Sequence, residues 1–329
     1  MQTIGSGGEP PGCAGVRVVD GALVHGWRTM GVKDGPRFHV IVVVAGHVEW
    51  LTGCLGSVME QTVRPARLTV LPQAGAEAAC RRLAGGVPGV QCVGGITWRT
   101  LGEAFNRMAA TMRQAEHVVI LRPDAVPAEN MLERLAEAFA YRPHVGVLGC
   151  TIFDASVDRV LSMGLTLEPN GLPRRLETGR RSGNGAPLLR AAEAVEPVAL
   201  AIRGEAWCEL GGLNPSYNSD LYATLDLCRR AREADWGVAV APEATVTWFG
   251  EDNSDLLRSE ARATLFEGRA RYLWDHLGDV AWISQYLPAE ARWLLRRQSD
   301  GMRWAALTAM MRMRSVKRAA RRDGRPGHV

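Results

Sequence analysis

The side chains able to do chemistry gather in short loops that follow apolar runs. Arg122 and Asp124 lie in Arg122-Pro123-Asp124, directly after the β-branched run 117–121. His47 ends Ala45-Gly46-His47 after the run 38–44, and Gln73 follows Pro72 after the run 68–71. A guanidinium presents a planar fork of donors matched to phosphate or carboxylate oxygens. A glutamine amide can hydrogen-bond a base edge but brings no charge. His47 can reach a phosphate or stand solvated in its loop, and the plain role for Asp124 is a cap on the loop that leads into the helix beginning near Ala128. Glu251, Asp252 and Asp255 read as a solvated polar loop. The chain holds no Ser/His/Asp arrangement, P-loop or dinucleotide-type glycine fingerprint. No Cys-x-x-Cys pair occurs among its seven cysteines, which argues against a zinc site and fits reduced thiols.

The elements that must position these loops follow from periodicity. The run 38–44 (Phe-His-Val-Ile-Val-Val-Val) is continuous and β-branched, the mark of a strand buried on both faces. Strands at 68–71 (stopped by Pro72), 90–93 and 117–121 alternate with helices at 49–61, 76–83 and 100–112, which predicts βαβ units and a mainly parallel, doubly wound sheet. Residues 122–127 read as a loop with two prolines, 128–141 as an amphipathic helix and 145–151 as a strand. Residues 161–187, rich in Gly, Pro, Arg and Asn, read as a surface excursion. Beyond it come a strand at 195–202, a short helix at 205–210, a helix at 225–234, two late strands at 238–240 and 245–248, and only helices from Leu256 on. In an open α/β sheet ligands bind outside the carboxyl ends of the strands. That rule brings the loops at 45–47, 72–73 and 122–124 to one crevice.

Composition excludes several classes. With 47% hydrophobic and 22% charged residues in 329, the chain can build a substantial core. It has no run of ~18 apolar residues for a membrane span. The opening segment has no basic stretch followed by an apolar one, so a cytoplasmic location is expected. The net charge of +4 is uneven, because Lys and Arg dominate from Arg292 to Arg325. There Trp293, Leu294, Trp304, Leu307, Met310, Met311 and Met313 interleave with basic residues. That pattern suits either an amphipathic helix on an anionic membrane face or a helix packed on the α/β domain. The most basic part lacks aromatics for stacking bases, so no nucleic-acid partner is expected.

The order of elements and several local strings resemble the family 2 glycosyltransferases of the GT-A fold, from about Phe38 to about Trp274. Ile120-Leu121-Arg122-Pro123-Asp124 resembles the family's metal-binding strand end. Ala201-Ile202-Arg203 with Gly211-Gly212-Leu213 resembles its acceptor segment, and Asp226-Leu227-Cys228-Arg229 resembles the start of its following helix. Leu101-Gly102 with Asn106-Arg107 is similar to a segment that lies against the nucleotide. The resemblance implies a GT-A-like sheet over 38–255, a lead-in over 1–37 and a helical extension with a basic tail over 256–329. It implies inverting transfer of a sugar from a nucleotide-diphosphate sugar to an acceptor. Asp124 would hold Mg²⁺ or Mn²⁺, and Ala45, Gly46, His47, Gln73, Gly102, Arg107 and Arg122 would hold the donor. The chain departs from the pattern at Arg122, where the metal motif has an earlier acid, and at Trp248, where relatives often carry His. It departs again at Ala223 and Thr224, the places of a Glu and of the base Asp. Thr224 cannot take a proton at neutral pH. Asp226 or Asp220 is then the candidate base, and a catalytically lapsed domain acting as a binding or scaffold partner is the alternative.

Overall fold

The computed structural model describes residues 18–19, 22–23, 36–94, 98–109, 116–156, 159–176, 188–250, 262–277, 281–295, 303–304 and 306–311. A hairpin of β1 (Val18–Val19) and β2 (Ala22–Leu23) precedes the main sheet. The chain then alternates through β3 (Arg37–Val44), α1 (Leu51–Met59), β4 (Arg67–Pro72), α2 (Glu77–Ala84), β5 (Val90–Cys92), α3 (Leu101–Ala109) and β6 (Glu116–Leu121). All four strands are parallel, with β3 between β4 and β6 and with β5 beyond β4. Period two explains the layers. Val40, Val42 and Val44 pack with Leu51 and Leu55 of α1, while Ile41 and Val43 pack on the other face with Phe105 of α3.

The second half adds β7 (Ala125–Pro127), α4 (Met131–Tyr141), β8 (Val145–Asp154), β9 (Arg159–Ser162), β10 (Leu165–Leu167), β11 (Pro173–Arg175), β12 (Arg190–Ala191), β13 (Ala199–Ile202), α5 (Gly204–Leu210), α6 (Asp220–Glu233) and β14 (Gly237–Trp248). The ten-stranded sheet runs β12-β14-β8-β13-β6-β3-β4-β5, with β7 on β14 and β9 on β8. β13 enters antiparallel between β6 and β8, and β14 is again parallel to β8. α4 covers the face of α1, while α5 and α6 cover the face of α3.

Several boundaries differ from the sequence reading. β4 runs through Pro72, which pairs with Val44 at the end of its ladder, where a missing N–H is tolerated. Residues 125–127 form a strand against β14 and not a loop. The two late strands are one, β14, with a register shift between Ala241 and Thr245 around Pro242. The described part of 161–187 is no surface excursion, since Leu161, Met163, Leu165, Asn170, Leu172 and Arg175 are buried. The 251–255 acids lie outside the described residues.

The consequential difference is α6, which begins at Asp220 and not at Leu225. Ser219 caps it, its hydroxyl accepting from the Tyr222 N–H at 3.2 Å. The loop before it is clamped to α3. Thr100 Oγ1 donates to the Pro215 carbonyl (3.1 Å), and Asn106 exchanges two hydrogen bonds with the backbone of Leu213 (2.7 and 3.1 Å). Gly102 permits the approach, because a Cβ there would stand 2.8 Å from Pro215 Cα.

The C-terminal helices α7 (Arg262–His276) and α8 (Leu287–Leu295) are joined through a π-helical turn, Trp282–Tyr286. Arg269, 1% exposed, donates to the Asn170 carbonyl at 2.8 Å and pairs with Glu290. Its guanidinium lies 5.6 to 5.8 Å from the rings of Phe266, Tyr286 and Trp293. No helix among the described residues is long and apolar enough to cross a membrane.

Candidate active site

A cleft of about 190 Å³ opens at the carboxyl ends of β3 and β6, lined by Val43, Ala45, Gly46, His47, Leu101, Ile120, Leu121, Arg122, Pro123, Pro197 and Asp220. Two of the loops anticipated from the strand ends, 45–47 and 122–123, therefore meet here, and the N-terminus of α6 joins them. His47 has a left-handed backbone (φ 54°), uncommon for a residue with a Cβ, and its ring lies 3.6 Å from Glu49. Gln73 is not among the lining residues; its backbone N–H donates to the Val44 carbonyl at 2.8 Å.

Asp124 is fully buried beside the cleft. Arg122 grips it through both carboxylate oxygens, Nε to Oδ1 and Nη2 to Oδ2, each at 2.9 Å. Burial alone would raise this carboxyl. The hydrogen bonds and charge of Arg122, with help from Trp248 and His47, override it and hold Asp124 below its ordinary value. Asp124 does not cap the following helix, whose N-cap is Asn130. Two guanidinium groups lie over the Trp248 ring, Arg122 at 5.6 Å and Arg175 at 6.0 Å from its centroid. Arg175 is held by a buried pair with Glu196 at 2.8 Å. Sequence reading missed Arg175 and Glu196, because nothing local connects residues so far from the Arg122 loop.

Helical geometry separates the two candidate carboxylates. At 100° per residue Asp226 points about 120° away from Asp220 around α6. Asp226 is absent from the cleft lining and almost fully buried, bound by Arg230 Nε and His276 Nε2 at 2.8 Å each. Arg230 in turn donates to the carbonyls of Leu210 and Gly212 (2.7 and 2.9 Å), so Asp226 anchors the turn before α6 and the end of α7. Burial would raise its carboxyl, and His276 and Arg230 hold it low. Asp220 instead shares a face with Thr224 one turn along, and the Thr224 hydroxyl donates to the Asp220 carbonyl at 2.9 Å. Burial raises the Asp220 carboxyl, opposed only by the charge of Arg122. The Ser219-Asp220 pair, a preferred cap followed by a first-turn acid, is the sequence signal that marks this start.

Gly102 packs against Asn214 and Pro215 and does not line the cleft, and Arg107 is exposed on α3. Trp50 and Phe249 stack with centroids 4.8 Å apart, each 37% exposed. The Phe249 N–H donates to the Asp124 carbonyl at 2.8 Å, which ties this pair to the carboxylate's loop.

A divalent cation is testable against these groups. Among the described residues no three His, Cys, Asp or Glu side chains converge as a cage. One ionised carboxylate plus diphosphate and water oxygens is a mode Mg²⁺ uses. Arg122 favours the ionised form of Asp124, and the Arg122 side chain, 34% exposed, lines the cleft where a diphosphate would lie. The residues fit an ion shared with a bound diphosphate.

The fold and this cleft define a class, the GT-A glycosyltransferase architecture. A mannosyltransferase from Pyrobaculum calidifontis, solved with GDP-Man and Mn²⁺, superposes with a TM-score of 0.52 at 18% identity, over 90% of this chain and 77% of that one. GalNAc-T7, solved with UDP, GalNAc and Mn²⁺, superposes with a TM-score of 0.54 at 15% identity, over 77% of this chain and 52% of that one. No curated protein matches the sequence. Residues 28–266 match the model of glycosyltransferase-like family 2, and the chain belongs to that family.

Proposed function

We propose that the protein transfers a sugar, with inversion, from a nucleotide-diphosphate sugar to an acceptor hydroxyl, and that Asp220 is the base. The observation that carries this reading is the position of Asp220, in the wall of the same cleft as Arg122 and His47 and one turn from Thr224. The acceptor oxygen bonds to the anomeric carbon opposite the diphosphate. The bond from that carbon to the diphosphate oxygen breaks, and the nucleotide leaves with the electron pair. Asp220 takes the acceptor proton, and its raised carboxyl is the better matched to that task near neutral pH. Arg122 binds diphosphate oxygens, and His47 and the 45–47 backbone border the same space. Mg²⁺ or Mn²⁺ at Asp124 would supply further charge neutralisation. Family membership and a carboxylate in the cleft favour transfer over a lapsed scaffold.

Thermal-shift titration with UDP-, GDP-, dTDP- and CDP-sugars, with and without Mn²⁺, tests the donor site. A donor at ~100 times its Kd stabilises by about 2.7 kcal/mol, a rise of a few degrees. Asp220→Asn should keep that shift and lose turnover by roughly 10²- to 10⁴-fold. No shift with any donor, or full turnover in the variant, would overturn the proposal.

A further inference from the structure

We infer that the helical segment 303–311 docks the protein on an anionic lipid surface. Its residues divide into two apolar faces. Ala306, Ala309 and Met310 pack inward with Trp293, Phe266 and Leu172. On the opposite side Trp304, Leu307 and Met311, at i, i+3 and i+7, form one stripe and are 64%, 44% and 57% exposed. Leu295, at the end of α8, adds another exposed apolar side chain at 84%. Single exposed leucines are ordinary, but a contiguous stripe on one helix face marks an interaction surface.

Charge names the occupant. The sequence continues from Met311 with Arg312, Arg314, Lys317, Arg318, Arg321, Arg322 and Arg325 against Asp323 alone. Such a run, following an apolar stripe in sequence, complements a surface that offers acyl chains and negative headgroups together. A second copy of the chain would bring the same cations against each other. A nucleic acid would leave the aliphatic side chains of the stripe without an apolar partner. The inference stands apart from the transfer reading, since it concerns residues outside the cleft lining and a different readout.

Co-sedimentation of the full chain with phosphatidylcholine vesicles, with and without phosphatidylglycerol, tests it. Binding should require the anionic lipid and weaken as salt is raised. Lys317→Glu with Arg318→Glu should reduce partitioning by at least about fivefold for each cation lost. Trp304→Glu with Leu307→Glu should reduce it on the order of tenfold or more while the donor thermal shift is unchanged. Met311→Glu reports on the same stripe if the double variant does not fold. Failure to bind anionic vesicles, equal binding to neutral ones, or binding indifferent to the stripe would overturn the inference. So would a dimer lost in Trp304→Glu/Leu307→Glu, or preference for a duplex oligonucleotide over the vesicles.

Discussion

Asp220 and Asp226, six residues apart on one helix, do different work because a helix turns them to different surroundings. Asp226 is enclosed by Arg230 and His276, and removing its charge leaves the half-buried Arg230 guanidinium with only backbone carbonyls as partners. Asp226→Asn should therefore cost about 1–3 kcal/mol of stability, read as a lower melting temperature, while donor binding by the folded protein persists. A variant as stable as the parent would refute this anchoring role. Arg122 is the other residue whose effect can be separated. With Arg122→Met the burial of Asp124 is opposed only by Trp248 and His47, so its carboxyl rises from its lowered position. Donor affinity measured by calorimetry should fall by roughly tenfold or more, with the largest loss at low pH, where Asp124 would become protonated. Unchanged affinity across pH would count against a phosphate role for Arg122.

At the scale of elements, the end of the sheet away from the cleft carries a buried polar network. His39 of β3 sits between Thr69 and Arg67 of β4, with Nε2 2.8 Å from the Thr69 hydroxyl and Nδ1 3.0 Å from Arg67 Nη2. Arginine only donates, so Nδ1 accepts, and the imidazole is neutral with its proton on Nε2. Burial first, and then Arg67, push His39 down to about 4. The folded form thus binds fewer protons than the unfolded chain between pH ~6.5 and ~4. Stability is fully present above pH ~6.5 and falls as the pH drops through this window, by about 3 kcal/mol for His39 alone. Melting temperature measured from pH 7.5 to 4.5 should decline steadily, and His39→Gln should make the decline shallower, the buried His117, also held down to about 4, contributing part of the rest. A flat profile in the parent would exclude a neutral buried His39. Helix α3 offers a separate check. Gly102→Ala forces a Cβ against the Asn214–Pro215 backbone and should cost about 1–3 kcal/mol, displacing the loop that leads to Asp220.

Across the whole molecule, one buried cation joins the C-terminal helices to the α/β body. Arg269 of α7 bonds the turn at Asn170 and pairs with Glu290 of α8 amid three aromatic rings. Arg269→Met removes the charge but leaves Glu290 buried without it. Arg269→Met with Glu290→Met removes both. The single variant should lose about 3–5 kcal/mol, and the double variant should recover much of that loss. Equal melting temperatures for the two would show that the ion pair is not what holds these helices. The segment that carries the outward stripe at Trp304, Leu307 and Met311 packs on these helices through Ala306 and Ala309.

Much of the architecture was legible in the chain itself. Unbroken β-branched runs such as 38–44 can only be strands covered on both faces, and their alternation with helical periods implies a parallel sheet with ligands at its carboxyl ends. That rule brings 45–47 and 122–123 to one cleft, because local hydrophobic pattern sets strand ends, whereas Gln73, chosen by the same rule, does not line it. What the chain could not disclose depends on contacts remote in sequence. The antiparallel insertion of β13 between β6 and β8 is a matter of pairing, and β7 is a strand only because β14 offers it an edge. Which of the two carboxylates lines the cleft was likewise decided in three dimensions. Ser219 starts α6 a full turn before its apolar period becomes plain, the Leu213–Pro215 loop is clamped to α3, and His276 arrives from a distant helix to occupy Asp226. Burial and ion pairing, which set what a carboxylate can do, are properties of its neighbours, and those neighbours were brought together only by the tertiary fold.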